Sequence, residues 1–194
     1  MSELQPDSTS TFAVGANAFT PEELDRIEAY GDALTAEEAT IAGARPEGVV
    51  LGAIRITRTA WLTPGPETKW IYDRIQRVAR TLNDRVYQFD LSGFSENLQY
   101  TVYHGTEGGY YGWHVDQGRQ LPLRRKLSLS LQLTDPSLYE GCELEFQAGN
   151  KVETAPRERG AVIAFPSYVL HRVTPCLKGT RKAIVAWTTG PQFR

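Results

Sequence analysis

The stretch LSLSLQLTDPSLYEGCELEF, residues 127–146, contains two strand-like segments separated by residues that are typical of turns. Similar short segments, bounded by Gly, Pro, Asp and Asn, fill the second half of the chain. We predict strands near residues 98–104, 111–116, 126–134, 142–148, 150–154, 160–165, 171–175 and 181–188. Eight short strands in succession predict a mainly β fold with flanking helices, specifically a double-stranded β-helix, or jelly roll.

The first half of the chain has a helical character. Residues 1–11 are polar and rich in Ser and Thr, which predicts a flexible tail. Thr20 followed by Pro21 and two acids is typical of a helix start, and this helix should end near Gly31. In a second helix apolar residues recur at helical spacing, namely Trp70, Ile71, Ile75, Val78 and Leu82. We therefore expect residues 12–97 to form a helical support region packed on a catalytic core, residues 98–194, within one domain.

Composition narrows the classes of protein. The chain has 194 residues, 41% of them hydrophobic, which suits one domain with a sizeable core. Its 21 basic and 23 acidic residues leave a net charge of −2, so nothing favours nucleic acid or an anionic membrane as a partner. The start of the chain lacks the features of a signal peptide, and no stretch approaches the roughly 18 apolar residues of a membrane helix. We expect a cytoplasmic protein.

Two local features have ordinary structural interpretations. Cys142 and Cys176 each lie in an apolar strand pattern, so we expect buried free thiols and no disulfide in a reducing compartment. The basic cluster of Arg119, Arg124 and residues 125–126 could favour an acidic substrate, but such a run is more typical of a solvated loop.

A metal site is indicated by three residues, His114, Asp116 and His171. Two histidines and one carboxylate on one face of a ferrous ion form the ligand set of non-haem iron oxygenases. Because side chains at i and i+2 lie on one face of a strand, His114 and Asp116 can reach the same ion. The pair alone is weak evidence, since short motifs occur by chance and a strand histidine is often structural. His171 and, ten residues further on, Arg181 strengthen the case.

These spacings resemble those of the 2-oxoglutarate- and Fe(II)-dependent oxygenases of the prolyl-4-hydroxylase-like branch. The resemblance runs from about residue 99 to residue 187 and includes residues 127–146. It implies that His114, Asp116 and His171 hold Fe(II), and that Arg181 pairs with the distal carboxylate of 2-oxoglutarate. A guanidinium suits that task because its planar fork pairs bidentately with a carboxylate.

In this family a tyrosine from the strand before the metal pair often contacts the same carboxylate. Tyr103 is the candidate for this role, with Tyr100 and Tyr111 as alternatives, because HGTEGG, residues 104–109, makes the connection longer than usual. Cys142 also departs from the family pattern, since a second glycine is common at its position. We expect only a local effect on packing there.

The resemblance further implies the reaction. Fe(II), 2-oxoglutarate and O2 would be required, ascorbate could stimulate turnover, and no catalytic residue beyond the metal centre is needed. The products would be succinate, CO2 and a hydroxylated amino acid or a hydroxylated side chain of a peptide or protein. Asp116 favours hydroxylation, because related halogenases lack this carboxylate. The substrate contacts are expected among Gln99, Tyr111, Trp113, Arg119 and Trp187, although each aromatic could equally pack inside the barrel.

Two other functions remain open at this stage. One is a cupin-like metal-dependent isomerase or hydrolase without 2-oxoglutarate, which would leave Arg181 without a role. The other is a catalytically silent binding module, which the complete ligand set disfavours. Metal analysis and an assay for succinate release separate the three.

Overall fold

The chain is described from a computed structural model, which covers residues 11–34, 37–38, 54–117 and 124–191. The predicted tail, residues 1–11, and the candidate substrate residue Arg119 therefore lie largely or wholly outside the described residues. Within them the fold is two antiparallel sheets with two α-helices packed on one outer face. This is the predicted jelly roll.

Helix α1 runs from Pro21 to Ala33 and starts as predicted. Thr20 accepts a hydrogen bond from the backbone of Glu23, and the Glu23 side chain accepts one from the backbone of Thr20, which together form a capping box. The helix continues two residues past Gly31. A Cβ at residue 31 would lie 2.5 Å from the Tyr100 ring, so this glycine allows close packing on the sheet rather than ending the helix.

Helix α2, Lys69–Leu82, is followed by a short π-helical segment, Asn83–Tyr87. Ile71, Ile75, Ala79 and Leu82 form its buried stripe, which confirms the predicted packing face. Trp70 and Val78 are only partly buried at the edge of the same face. The helix therefore packs on the sheet through its aliphatic residues.

The larger sheet has the strand order β1-β12-β8-β14-β6-β4-β2, and β5 and β9 also pair with β14. The smaller sheet has the order β11-β10-β13-β7-β3. The strand bounds are β1 Ala13–Gly15, β2 Glu37–Glu38, β3 Arg55–Ile56, β4 Arg58–Leu62, β5 Gly93–Phe94, β6 Leu98–His104, β7 Tyr110–His114, β8 Arg125–Gln132, β9 Tyr139–Gly141, β10 Leu144–Ala148, β11 Lys151–Thr154, β12 Val162–Pro166, β13 His171–Val173 and β14 Cys176–Thr189.

All eight predicted strands have counterparts, with bounds that shift by a few residues. The largest difference is β14, which begins at Cys176 because its first residues pair with β9. The described part of residues 12–97 also contributes five short strands in addition to two α-helices, and these strands extend both sheets. The boundary between support region and core at residue 98 stays a prediction.

The large sheet separates two environments by simple alternation. On β8, Leu127, Leu129 and Leu131 belong to the core that includes the helices, whereas the serines between them face the space between the sheets. On β14, Ile184 packs with the same helical core, and Arg181 lies between the sheets. The inner space is where the predicted site residues gather.

The prediction of free cysteines was wrong. Cys142 and Cys176 form a disulfide, with their Cα atoms 4.4 Å apart. The β9–β14 pairing brings them together, because Gly141 lies opposite Cys176. Cys142 has a φ of 55°, a left-handed backbone conformation that glycine adopts without strain. Cys142 therefore contributes a covalent cross-link and a left-handed backbone conformation, and not only the local packing effect that we expected.

The predicted solvated loop was also wrong in part. Arg124 is exposed, but Arg125 and Lys126 are buried because β8 begins at Arg125. As for the membrane, none of the helices in the described part of the chain has both the length and the apolar character needed to cross a bilayer.

Candidate active site

The three predicted metal ligands meet between the sheets. His114 ends β7, His171 begins β13, and the two residues lie directly opposite each other in the pairing of these strands. Asp116 lies just past the end of β7, where its backbone N–H donates to the carbonyl of Ser167. The possible ligand atoms of the three residues all lie within 4.8 Å of one another.

Hydrogen bonds orient both imidazoles. Nδ1 of His114 lies 2.8 Å from the carbonyl oxygen of Gly112, and Nδ1 of His171 lies 2.9 Å from that of Val169. A carbonyl can only accept, so each Nδ1 carries the proton and each Nε2 presents a lone pair. These Nε2 atoms lie 3.7 Å and 3.6 Å from the carboxylate oxygens of Asp116.

The donor set fits a divalent ion. Ligands about 2.1 Å from one ion and at right angles to each other are about 3 Å apart, so the observed separations need only a small contraction. Two neutral imidazoles and one carboxylate are the ligand types that ferrous iron takes in oxygenases. The residues present therefore fit Fe(II).

Electrostatics keep the ligands in their metal-binding protonation states. Burial and the neighbouring His171 lower the pKa of His114 to about 3, so its imidazole is neutral at physiological pH. For Asp116, burial opposes ionisation, but His171, His114 and a hydrogen bond from Ser128 outweigh it and hold the pKa below its usual value. Both groups are ready to coordinate a cation without losing a proton.

Asp116 is held by a short chain of hydroxyls that the sequence did not suggest. Ser128 Oγ donates to Asp116 Oδ2 at 2.7 Å, and Ser167 Oγ lies 3.0 Å from Ser128 Oγ. All three side chains are buried. Because one carboxylate oxygen is engaged by Ser128, the carboxylate has a fixed orientation toward the histidines.

The ligands open into a cavity of about 350 Å³ between the sheets. Arg181 lies in its wall, 3% exposed, and its Nε and Nη2 donate to Gln132 Oε1 at 3.1 Å and 2.9 Å. Within the described residues no carboxylate lies within ion-pair distance of this guanidinium. A buried cation with a neutral partner is unfavourable unless an anion joins it. An anion that entered this part of the cavity would therefore stabilise the buried charge.

The three candidate tyrosines have different surroundings. Tyr103 pairs with Arg181 across β6 and β14, lines the cavity, and its ring centre lies 5.5 Å from the guanidinium carbon. Tyr100 points to the helical side and donates to Asp32 at 2.7 Å, so it does not reach the site. Tyr111 lines the cavity but stacks on His114, with ring centres 3.5 Å apart.

The remaining candidates divide between the cavity and its outside. Gln99 and Trp187 line the cavity. The buried indole Nε1 of Trp187 has no hydrogen-bond partner in the described part of the chain. Trp113 does not line the cavity, because its ring lies 4.6 Å from the guanidinium carbon of Arg172 on the other face of the strand.

Sequence reasoning missed several cavity residues. Arg55 and Trp61 come from β3 and β4, which precede the predicted core. Arg125 forms an ion pair with Glu96, and its guanidinium carbon lies 3.8 Å from the Trp187 ring centre. No motif surrounds these residues, so only the pairing of distant strands reveals them.

Comparison with known proteins agrees with this geometry. Residues 98–189 match the family model of the 2OG-Fe(II) oxygenase superfamily. The expectation of Fe(II) as cofactor and of 2-oxoglutarate and O2 as cosubstrates is thereby confirmed at the level of the family. The predicted resemblance to prolyl-4-hydroxylases agrees with the relatives and solved structures described next.

A PKHD-type hydroxylase of Synechococcus sp. strain CC9605 is 33% identical over 136 residues, which cover 70% of this chain and 60% of the relative. The chain spans 38% to 60% of the length of the first curated relatives that it matches. Among solved structures, a Pseudomonas putida prolyl-4-hydroxylase has a TM-score of 0.71 at 20% identity, with 95% of each chain covered.

A Trichoplax adhaerens prolyl hydroxylase, solved in complex with a peptide fragment of the hypoxia-inducible factor oxygen degradation domain, has a TM-score of 0.72 at 19% identity. The alignment covers 93% of this chain and 84% of that one. At such identities the two solved structures support the jelly-roll fold.

Proposed function

We propose that this protein is a 2-oxoglutarate- and Fe(II)-dependent dioxygenase that hydroxylates an amino acid or a peptidyl side chain and releases succinate and CO2. The observation that carries the proposal is the buried, unneutralised Arg181 in the same cavity as the three metal-ligand side chains. A metal alone would explain the triad, but it would not explain a buried guanidinium beside it.

The proposed roles follow from these positions. His114, Asp116 and His171 hold Fe(II), Arg181 pairs with the distal carboxylate of 2-oxoglutarate, and Tyr103 lies beside that pair. When bound, the iron supplies the activation of O2 for oxidation of a C–H bond. The protein orients the reactants and excludes water. The apolar strand residues between the sheets exclude the water. The carboxylate of Asp116 favours hydroxylation over halogenation.

We propose that the substrate is a peptide or protein, with a free amino acid as the alternative. It is supported by the PKHD-type hydroxylase relative and by the solved prolyl hydroxylase that holds a peptide. A cytoplasmic location stays a prediction, and the disulfide makes it worth testing, because disulfides are uncommon in reducing compartments.

No observation favours the cupin-like isomerase or hydrolase. Such an enzyme would bury the Arg181 charge without an anion to balance it. A silent binding module would likewise have no use for two histidines and a carboxylate whose possible ligand atoms lie within 4.8 Å of one another.

The test is 2-oxoglutarate turnover by protein loaded anaerobically with Fe(II) and then exposed to O2. Succinate should form slowly without a prime substrate and faster with the right peptide or amino acid. His171→Ala should abolish turnover. His104→Ala is the matched control, because this third histidine hydrogen-bonds Thr180 outside the cavity and should leave turnover unchanged. Iron-loaded protein that never consumes 2-oxoglutarate would refute the proposal.

A further inference from the structure

A second arginine in the cavity, Arg55, has no anionic partner among the described residues. Arg55, in β3, donates one hydrogen bond through Nη2 to the amide oxygen of Gln99, at 3.2 Å. Its Nε is buried and has no hydrogen-bond partner in the described part of the chain. No carboxylate of the described residues lies within ion-pair distance of it.

The other arginines of the cavity are accounted for. Arg125 is neutralised by Glu96. Arg181 is taken by one carboxylate of 2-oxoglutarate in the proposed function, and the other carboxylate of that molecule goes to the iron. Arg55 is therefore a positive charge left over for a different anion.

Arg55 is also close to the metal centre. Its guanidinium carbon lies 4.6 Å from the ring centre of Tyr111, and that ring stacks on His114 with centres 3.5 Å apart. Stacking on an aromatic face fixes the plane of a guanidinium and leaves its edge free for hydrogen bonds. An anionic group bound at that edge would be one aromatic ring away from a proposed iron ligand.

We propose that Arg55 binds a carboxylate of the prime substrate, so that the enzyme selects acidic substrates. The carboxylate belongs either to an Asp or Glu side chain next to the oxidised residue of a peptide or to the backbone of a free amino acid. The inference rests on the proposed function and deepens it. Physically, a carboxylate would balance a partly buried charge and accept a strong charge-assisted hydrogen bond from the guanidinium.

The experiment uses matched substrate pairs. Capped peptides that differ only in Asp against Asn or Glu against Gln form one arm, and free amino acids against their amides form the other. Stimulation of succinate release above the uncoupled background is measured for the full chain with Fe(II). We expect acidic members to stimulate more strongly than their amides in one arm, which identifies the source of the carboxylate.

Arg55→Gln should raise KM for the acidic members about ten- to hundredfold, which is the loss expected for one charge-assisted hydrogen bond. It should change KM for the amide members much less, and Arg55→Lys should keep part of the preference for acidic substrates. Arg58→Gln is the matched control, because Arg58 is a half-exposed arginine that pairs with Glu107 outside the cavity. Thermal melting of each variant checks folding.

The outcomes are separable. Equal stimulation by acids and amides, stimulation by no acidic member, or a preference that survives in Arg55→Gln would overturn the inference while uncoupled turnover upholds the proposed function. Absence of uncoupled turnover in the wild type would refute the proposed function and the inference with it.

Discussion

Replacing Arg181 by alanine tests the anion site directly. Arg181 is 3% exposed, and its guanidinium is hydrogen-bonded to the neutral amide of Gln132 and lies near the Tyr103 ring. An arriving carboxylate would therefore form an almost fully desolvated pair with it. Breaking such a pair on one side costs about 3–5 kcal/mol. At about 1.4 kcal/mol per factor of ten, the affinity for 2-oxoglutarate should fall between about a hundredfold and a few thousandfold.

Affinity is measured as KM for 2-oxoglutarate in uncoupled succinate release, and as Kd by titration of protein that carries a redox-inert divalent ion. Metal content should not change, because the hydrogen bonds of the Arg181 side chain go to Gln132 and not to the three ligand side chains. Arg181→Lys should fall between wild type and alanine, since the charge survives and the bidentate fork does not.

Lys182→Ala is the matched control for this experiment. Lys182 is the next residue of β14, but its ammonium group lies 2.7 Å from Asp32 and 3.1 Å from Glu28 on the helical side of the sheet. Its removal should lower stability by at most about 1 kcal/mol and leave affinity for 2-oxoglutarate unchanged. Unchanged affinity in Arg181→Ala, or an equal loss in Lys182→Ala, would refute the assignment of the anion site.

Three further predictions address the ligands and the fold. Ser128→Ala removes the hydroxyl that donates to Asp116 and should weaken metal affinity about ten- to hundredfold in a competition titration. The control Ser137→Ala, on an exposed turn, should leave metal affinity unchanged. Equal affinities in the two variants would show that Ser128 does not hold the carboxylate. Ile75 is 1% exposed, so Ile75→Ala should lower the free energy of unfolding by about 2–5 kcal/mol, as measured by denaturant titration. The control Thr81→Ala, at an exposed position of the same helix, should change it by about 0.5 kcal/mol or less. The metal-free protein should lose stability as pH falls below about 6.5, because His114 binds a proton there in the unfolded chain, whereas its pKa in the folded protein is about 3. Thermal melts in the presence of chelator should show that the free energy of unfolding falls by at most about 1.4 kcal/mol per pH unit through this group, and His114→Gln should remove this dependence.

The parts of the site that could be predicted from sequence are those whose spacing is fixed locally or by the family pattern. His114 and Asp116 are two residues apart, and Arg181 follows His171 at a set offset, so the chain itself carries their relation. The helices were predicted for the same reason, since capping residues and apolar periodicity are local signals.

The parts that could not be predicted depend on which distant strands pair. Arg55 reaches the cavity because β3 joins β7, and Gln132 meets Arg181 because β8 and β14 are neighbours. The disulfide arises in the same way from the pairing of β9 with β14. Arg125 was predicted to lie in a solvated loop because a run of basic residues is typical of one. The prediction was wrong because Glu96, which neutralises Arg125, lies in a distant segment of the sequence.

Strand β8 links stability to chemistry in this protein. Its leucines pack in the core that includes the helices, while Ser128 and Gln132, on the opposite face, hold Asp116 and Arg181. A shift of one residue in the pairing of β8 would exchange the two faces and send leucines into the metal site. The buried leucines resist that shift, because it would expose polar side chains to the apolar core. The same apolar packing that fixes the register of β8 therefore also fixes the orientation of a proposed iron ligand, Asp116, and of the proposed anion-binding residue, Arg181.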